Sequence, residues 1–234
     1  MKKLFGLLFV LALSALAFSA QTEKSLNLPA AGIQKLSVDA GAGSLKIDGV
    51  EGLSSIEVQA EIIVKGVGDR KLEDFLKDHL RLSLEQSGGE AVLKGYFEFT
   101  GITLFSPEAT VNLTVRMPKA MSLYVDDGSG WLTVANIKGE VSIDDGSGEL
   151  SAENIEGDLI IDDGSGEIEV RNITGNVRID DGSGSMTIER VGGSVRVDDG
   201  SGSISIDDVA KDVVFTSTGS GSVHTKNVRG QVIR

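Results

Sequence analysis

The chain has 234 residues, a formal net charge of −13, no cysteine and only 5% aromatic residues. That charge excludes nucleic acid and anionic membrane surfaces as partners held by charge attraction, and leaves cations, basic proteins and neutral glycans. The missing cysteines exclude disulfide staples, and so few rings exclude a large core built on aromatic packing.

Residues 1–20, MKKLFGLLFVLALSALAFSA, place Lys2 and Lys3 before an apolar run from Leu4 to Ala17 and small residues after it. This is the layout of a secretory signal peptide. The run is too short for an ordinary span, which needs about 20 apolar residues. Cleavage is expected after Ala17, Ser19 or Ala20, nearest Ala20, with no membrane span left afterwards. The mature chain is then periplasmic or secreted.

Residues 21–52 are expected to hold a first solenoid coil, LSVDAGAGSLKIDGVEG (36–52), for reasons that come from the repeats downstream. Residues 53–120 differ in character. IEVQAEIIVKG (56–66) and VNLTVRMP (111–118) read as strands. DRKLEDFLKDHL (69–80) carries Leu72, Phe75, Leu76 and Leu80 at helical spacing, with Asp69 as the expected N-cap. LRLSLEQSGGEAVLKGYFEF (80–99) reads as a hairpin about Ser87-Gly88-Gly89. A solenoid's open end exposes unpaired strand edges, so this strand-rich segment is expected to cap it.

From Met121 the chain can be written in rows of 18 residues, and DDGSG occurs in five of them. Leu123 and Val125 are followed by Val141 and Ile143, Leu159 and Ile161, Val177 and Ile179, then Val195 and Val197. After each DDGSG comes a second alternating set, such as Leu150, Ala152 and Ile155. Each row therefore holds two short strands separated by Gly-containing turns. A sixth row from Lys211 has one extra residue and TSTGSG in place of DDGSG. A parallel β-solenoid fits these rows, and so does an antiparallel β-meander. Two columns favour the solenoid, where residues 18 apart sit about 4.8 Å apart. Glu153, Arg171 and Glu189 alternate in sign, and Asn136, Asn154 and Asn172 can bond side chain to side chain.

DDGSG is ordinary turn chemistry: Asp accepts from an N–H two residues on, and Gly bends freely. The recurrence of both acids asks for more. Stacking makes one column of Asp126, Asp144, Asp162, Asp180 and Asp198, and another of Asp127, Asp145, Asp163, Asp181 and Asp199. Like charges at this spacing repel by about 1 kcal/mol in water and about 3.5 at an effective dielectric of 20. Turn N–H groups, partial protonation or bound cations would relieve this. All ten residues are thus candidate Ca²⁺ ligands, although turn chemistry is the better account.

Trp131, the only tryptophan, shares a column with Glu149, Glu167, Ser185, Ser203 and Ser222. It is a candidate surface contact for a sugar ring; packing beneath the inserted segment is the stronger expectation. His79 and His224 lie in unrelated segments, no serine sits in a nucleophile elbow, and the even coils leave no long loop for a cleft. No catalytic or cofactor-binding residue is expected.

The signal peptide, VDAGAGSLKIDGV, the strand-rich insertion and the SIDDGSGELSAENIEG rows together resemble the bacterial DUF4097 family of secreted β-strand-repeat proteins, often labelled candidate adhesins. The resemblance covers about residues 30–234. It implies a β-helix-like extracytoplasmic domain and carries over no catalytic residue. The expectation is a non-catalytic adhesin-like binding or scaffold module for a protein or glycan; the alternative is a Ca²⁺-binding solenoid using the Asp columns.

Overall fold

In the computed structural model, which describes residues 19–99 and 107–234, the 18-residue rows stack as coils of a parallel β-solenoid. Apart from Ser19 and Ala20, the expected signal peptide lies outside the described residues. The meander is ruled out by register. Val141, Leu159, Val177 and Val195 pair in turn along one wall, and Leu150, Ile168, Met186 and Ile204 along the other, all in parallel.

The strands are β1 (Ser19–Pro29), β2 (Lys35–Val50), β3 (Ser55–Lys65), β4 (Leu80–Ser87), β5 (Glu90–Phe97), β6 (Ala109–Pro118) and β7 (Ser122–Ala135). The repeats continue as β8 (Val141–Asp145), β9 (Gly148–Ile155), β10 (Leu159–Asp163), β11 (Gly166–Ile173), β12 (Val177–Asp181) and β13 (Gly184–Val191). They end with β14 (Val195–Asp199), β15 (Gly202–Val209), β16 (Val213–Ser217), β17 (Val223–Val228) and β18 (Val232–Ile233). Even-numbered strands from β8 onward form one wall and odd-numbered strands the other. Strands β2 and β7 run through the corner unbroken, so both walls belong to one continuous sheet.

Alternate residues of each strand point between the walls, as period-2 geometry requires. Their Val, Ile and Leu side chains form one core along the axis. Each buried side chain contributes about 1.5–3 kcal/mol.

Stacking dictates the corners. At Gly130, Gly148, Gly166, Gly184 and Gly202 a Cβ would lie within 1.8 Å of the carbonyl oxygen of the matching glycine one coil earlier. These residues also have φ between 133° and 157°, which side chains disfavour. The opposite corner turns on Asn136, Asn154 and Asn172, with φ near +60°, a conformation Asn tolerates better than most residues. Their amides form the expected ladder: Asn172 Nδ2 donates to Asn154 Oδ1 at 2.9 Å and Asn154 Nδ2 to Asn136 Oδ1 at 3.3 Å. Asn136 in turn donates to Asp48 at 2.7 Å. Arg171 lies in register between Glu153 and Glu189, and its Nε meets Glu189 at 3.3 Å. In the sixth row a register shift between Val197 and Asp198 absorbs the extra residue.

The inserted segment continues both walls past the first coil. Strands β5 and β6 pair in parallel with the two halves of β2, on the edge away from β7. Strand β4 joins β5 through the two-residue Gly88-Gly89 turn, β3 pairs antiparallel with β6, and β1 covers the outer edge of β3. Helix α1 (Asp69–His79) connects β3 to β4 and lays Leu72, Phe75 and Leu76 on the core. The expected Asp69 cap is displaced by one residue: Gly68 holds the N-cap position, with no side-chain cap bond.

Substituting Gly166→Ala is expected to unfold the chain or cost more than about 3 kcal/mol, because backbone must move. Gly68→Ala, with nothing within 4 Å, is expected to cost about 1 kcal/mol or less, the loss of a favoured N-cap residue. Chemical denaturation of the two variants against wild type checks the contrast.

Candidate functional site

The two acids of each DDGSG part company. Parity along β8 puts Val141, Ile143 and Asp145 on the inner side and Asp144 on the outer. The same holds in every row. Asp126, Asp144, Asp162 and Asp180 are exposed and Asp198 half-buried, in register with one another and with Asp39 of the first coil. Asp127, Asp145, Asp163, Asp181 and Asp199 are at most 3% exposed. Five carboxyl groups therefore line the inner side of one corner, a strand spacing of about 4.8 Å apart.

Their surroundings offer little compensation. Oδ1 of Asp145, Asp163 and Asp181 accepts the backbone N–H of Ser147, Ser165 and Ser183, at 3.3, 3.3 and 3.0 Å. Oδ2 of Asp127, Asp145, Asp163 and Asp181 has no partner, nor has either oxygen of Asp199. The charged groups acting on the column are its own members and the outer acids beside it; no cation is among them. Non-acidic residues bracket the run. Ala40 stands in register with Asp127, and Thr218 follows Ser217, the partner of Asp198.

Burial without a counter-charge disfavours the ionised form. It is the main force raising Asp127 to about 7, with Asp145 adding repulsion. Burial likewise raises Asp163 and Asp181 to about 6, with repulsion from other acids of the two columns. Asp145 and Asp199 are raised by burial as well. A proton removes the charge and supplies a donor where neighbouring carboxyls supply acceptors.

The ten candidate cation ligands thus split between solvent and core. Among the described residues, no group of three or more acids or histidines converges as a metal site. Trp131 departs from expectation more sharply. It does not pack beneath the insertion: it is 70% exposed, between Ser44 and Glu149 on the outer wall. The insertion extends the wall edgewise and leaves its outer surface bare. Sequence reasoning also missed a polar cluster on that wall, in which Glu61 accepts from Asn112 Nδ2 at 2.8 Å and from Gln21 Nε2 at 2.5 Å. Its members lie far apart in the chain and only the register of β1, β3 and β6 joins them.

The pH dependence has a definite sign. With folded pKa values above the unfolded value near 3.8, these acids hold more protons in the folded chain, so their contribution to stability is fully present below about pH 4 and is lost as pH rises through about 6 to 7. Asp127 alone corresponds to about 4 kcal/mol over that window. Asp163→Asn keeps the turn acceptor and removes the charge. Its melting temperature should exceed wild type by several degrees at pH 8, and the gap should shrink toward pH 4.

The sequence profile of the Toastrack DUF4097 family matches residues 4–232. No curated protein matches the chain. Among solved structures, a candidate cell adhesion protein from Clostridium sporogenes is 14% identical, with 92% of this chain and 98% of that one covered and a TM-score of 0.38. A candidate adhesin from Bacteroides fragilis is 11% identical over 92% and 96%, at 0.39. Another from Parabacteroides distasonis is 12% identical over 91% and 96%, at 0.27. The profile spans nearly the whole chain, repeats and insertion alike: the chain belongs to the Toastrack DUF4097 family.

Proposed function

We propose that the chain is a non-catalytic, extracytoplasmic binding or scaffold module of adhesin-like type, exported through its signal peptide. The observation that supports this best is repetition. Each turn carboxylate has four equivalent copies, so none is set apart as an acid, base or nucleophile. The histidines add no site. His79 ends α1 against Phe75 and Phe99, and His224 lies on β17. Among the described residues, no helix is long and apolar enough to cross a membrane. Export predicts a mature N-terminus at Phe18, Ala20 or Gln21, in material recovered from outside the cytoplasm. Cleavage after Ala17 or Ser19 keeps Ala20, which is buried opposite Val64. Intact-mass measurement after cell fractionation checks this, and a cytoplasmic chain beginning at Met1 would contradict it.

A second reading, a Ca²⁺-responsive solenoid, is favoured by the unpartnered buried oxygens of the inner column. Partial protonation, which their raised pKa values favour, relieves the same oxygens without metal. Thermal melts in EDTA and in millimolar Ca²⁺, with calorimetric titration, separate the two. The proposed reading expects equal melting temperatures and no binding heat; a rise in Ca²⁺ with several weak sites would establish the second.

A further inference from the structure

The outer wall made of β1, β3, β6, β2 and β7 carries a row of side chains that crosses the strands almost perpendicularly. Register places Glu23 beside Glu61, Glu61 beside Asn112, and Ser44 beside Trp131. Asn112 spans the step between β6 and β2, its Oδ1 accepting the Ser44 backbone N–H at 2.9 Å. We propose that this row is a binding site for a neutral oligosaccharide, with Trp131 as the stacking platform and the Glu61–Asn112 cluster as its hydroxyl-recognition end. The proposal rests on the binding-module reading and names the ligand class of that module.

Three features carry it. First, the indole of Trp131 is 70% exposed, on a strand rather than at a loop tip. Leaving so large an apolar face in water forgoes stabilisation that burial would supply, and the flanking Ser44 and Glu149 do not cover it. A pyranose ring presents a face of C–H groups that such a platform fits.

Second, an open depression of about 300 Å³ adjoins it, lined by Glu23, Ser44, Gln59, Glu61, Asn112 and Thr114 among others. It is rich in carboxylate, carboxamide and hydroxyl groups, the set that reads sugar hydroxyls as both donors and acceptors. The cluster is held in place beforehand. Both Glu61 oxygens accept an amide N–H and the Asn112 oxygen accepts a backbone N–H, so orientation is set before any ligand arrives. Each carboxylate oxygen keeps acceptor capacity for a hydroxyl. From Trp131 to Glu61 is three strand spacings, about 14 Å, a span for an oligosaccharide rather than a single sugar.

Third, the charge around the row selects. Glu23 and Glu61 on one side of Trp131 and Glu149 and Glu167 on the other outnumber the nearby cations, Lys24 in the depression and Lys46 beside Thr114, and this acidic balance favours neutral sugars over uronic or sialic acids.

Trp131 is the only tryptophan, so its fluorescence reports this site alone. The mature protein is titrated with chitotetraose and cellotetraose, with a tetramer of galacturonic acid as the anionic counterpart, and calorimetry runs in parallel. The expected result is a saturable change in emission with at least one neutral tetramer and none with the acid. Trp131→Ala should weaken calorimetric binding about tenfold or more, and Glu61→Gln should weaken it less. Both variants should melt like wild type, since neither side chain is in the core. No saturable response to either neutral tetramer at 10 mM, or equal binding of the uronic acid, overturns the proposal. Equal calorimetric binding by wild type and Trp131→Ala overturns the site while leaving the binding module standing. So does a protein partner that needs Trp131 when no sugar responds.

Discussion

In the repeat block each side chain meets its own counterpart 18 residues away, one strand spacing along the axis. That constraint decides which residues each column accepts. Val, Ile and Leu gain by it, since like shapes stack without voids. Asn gains because it carries a donor and an acceptor at once, so Asn136, Asn154 and Asn172 satisfy one another. Glycine is enforced, because at the DDGSG corner consecutive backbones approach too closely for any Cβ. Asp is the exception. Ionised, it has acceptors only, so an inward column of it is costly and its pKa values rise.

The same constraint explains the division of labour between the repeats and the insertion. Identical coils supply a stiff, even wall but no singular site. Distinct chemistry enters where the identity breaks: at Trp131, beside the first coil, and at the strands β1, β3 and β6 that carry the wall past it. The insertion meets the exposed edges of β2 with strand pairing on both walls and lays α1 over the core, so it moves the open edges out to β1 and β4 while bringing unlike side chains into one row.

Much of this was legible in the sequence. The 18-residue period, the two strands per row and the parallel stack follow from apolar parity and from the Glu153–Arg171–Glu189 and Asn columns. The inward turn of Asp145 was legible too, for it shares parity with Val141 and Ile143; composition alone made an inward acid seem unlike a core residue. Trp131 was misjudged because sequence does not reveal whether an insertion covers a wall or extends its edge. The Glu61–Asn112–Gln21 cluster was beyond reach, since its members meet only through antiparallel pairings whose registers no local pattern specifies.

One member of each acid pair is held inside the stack, where burial raises its pKa and makes it take up a proton well above the ordinary carboxylate range. The direct measurement is an NMR titration of the side-chain carboxyl carbons in protein labelled at aspartate, with each inner position assigned by its Asn variant. Asp127, Asp163 and Asp181 are expected to titrate near 7, 6 and 6, with Asp145 and Asp199 also above the ordinary 3.8. If all five titrate at the ordinary value, the acids are solvated and the stack is not built as described.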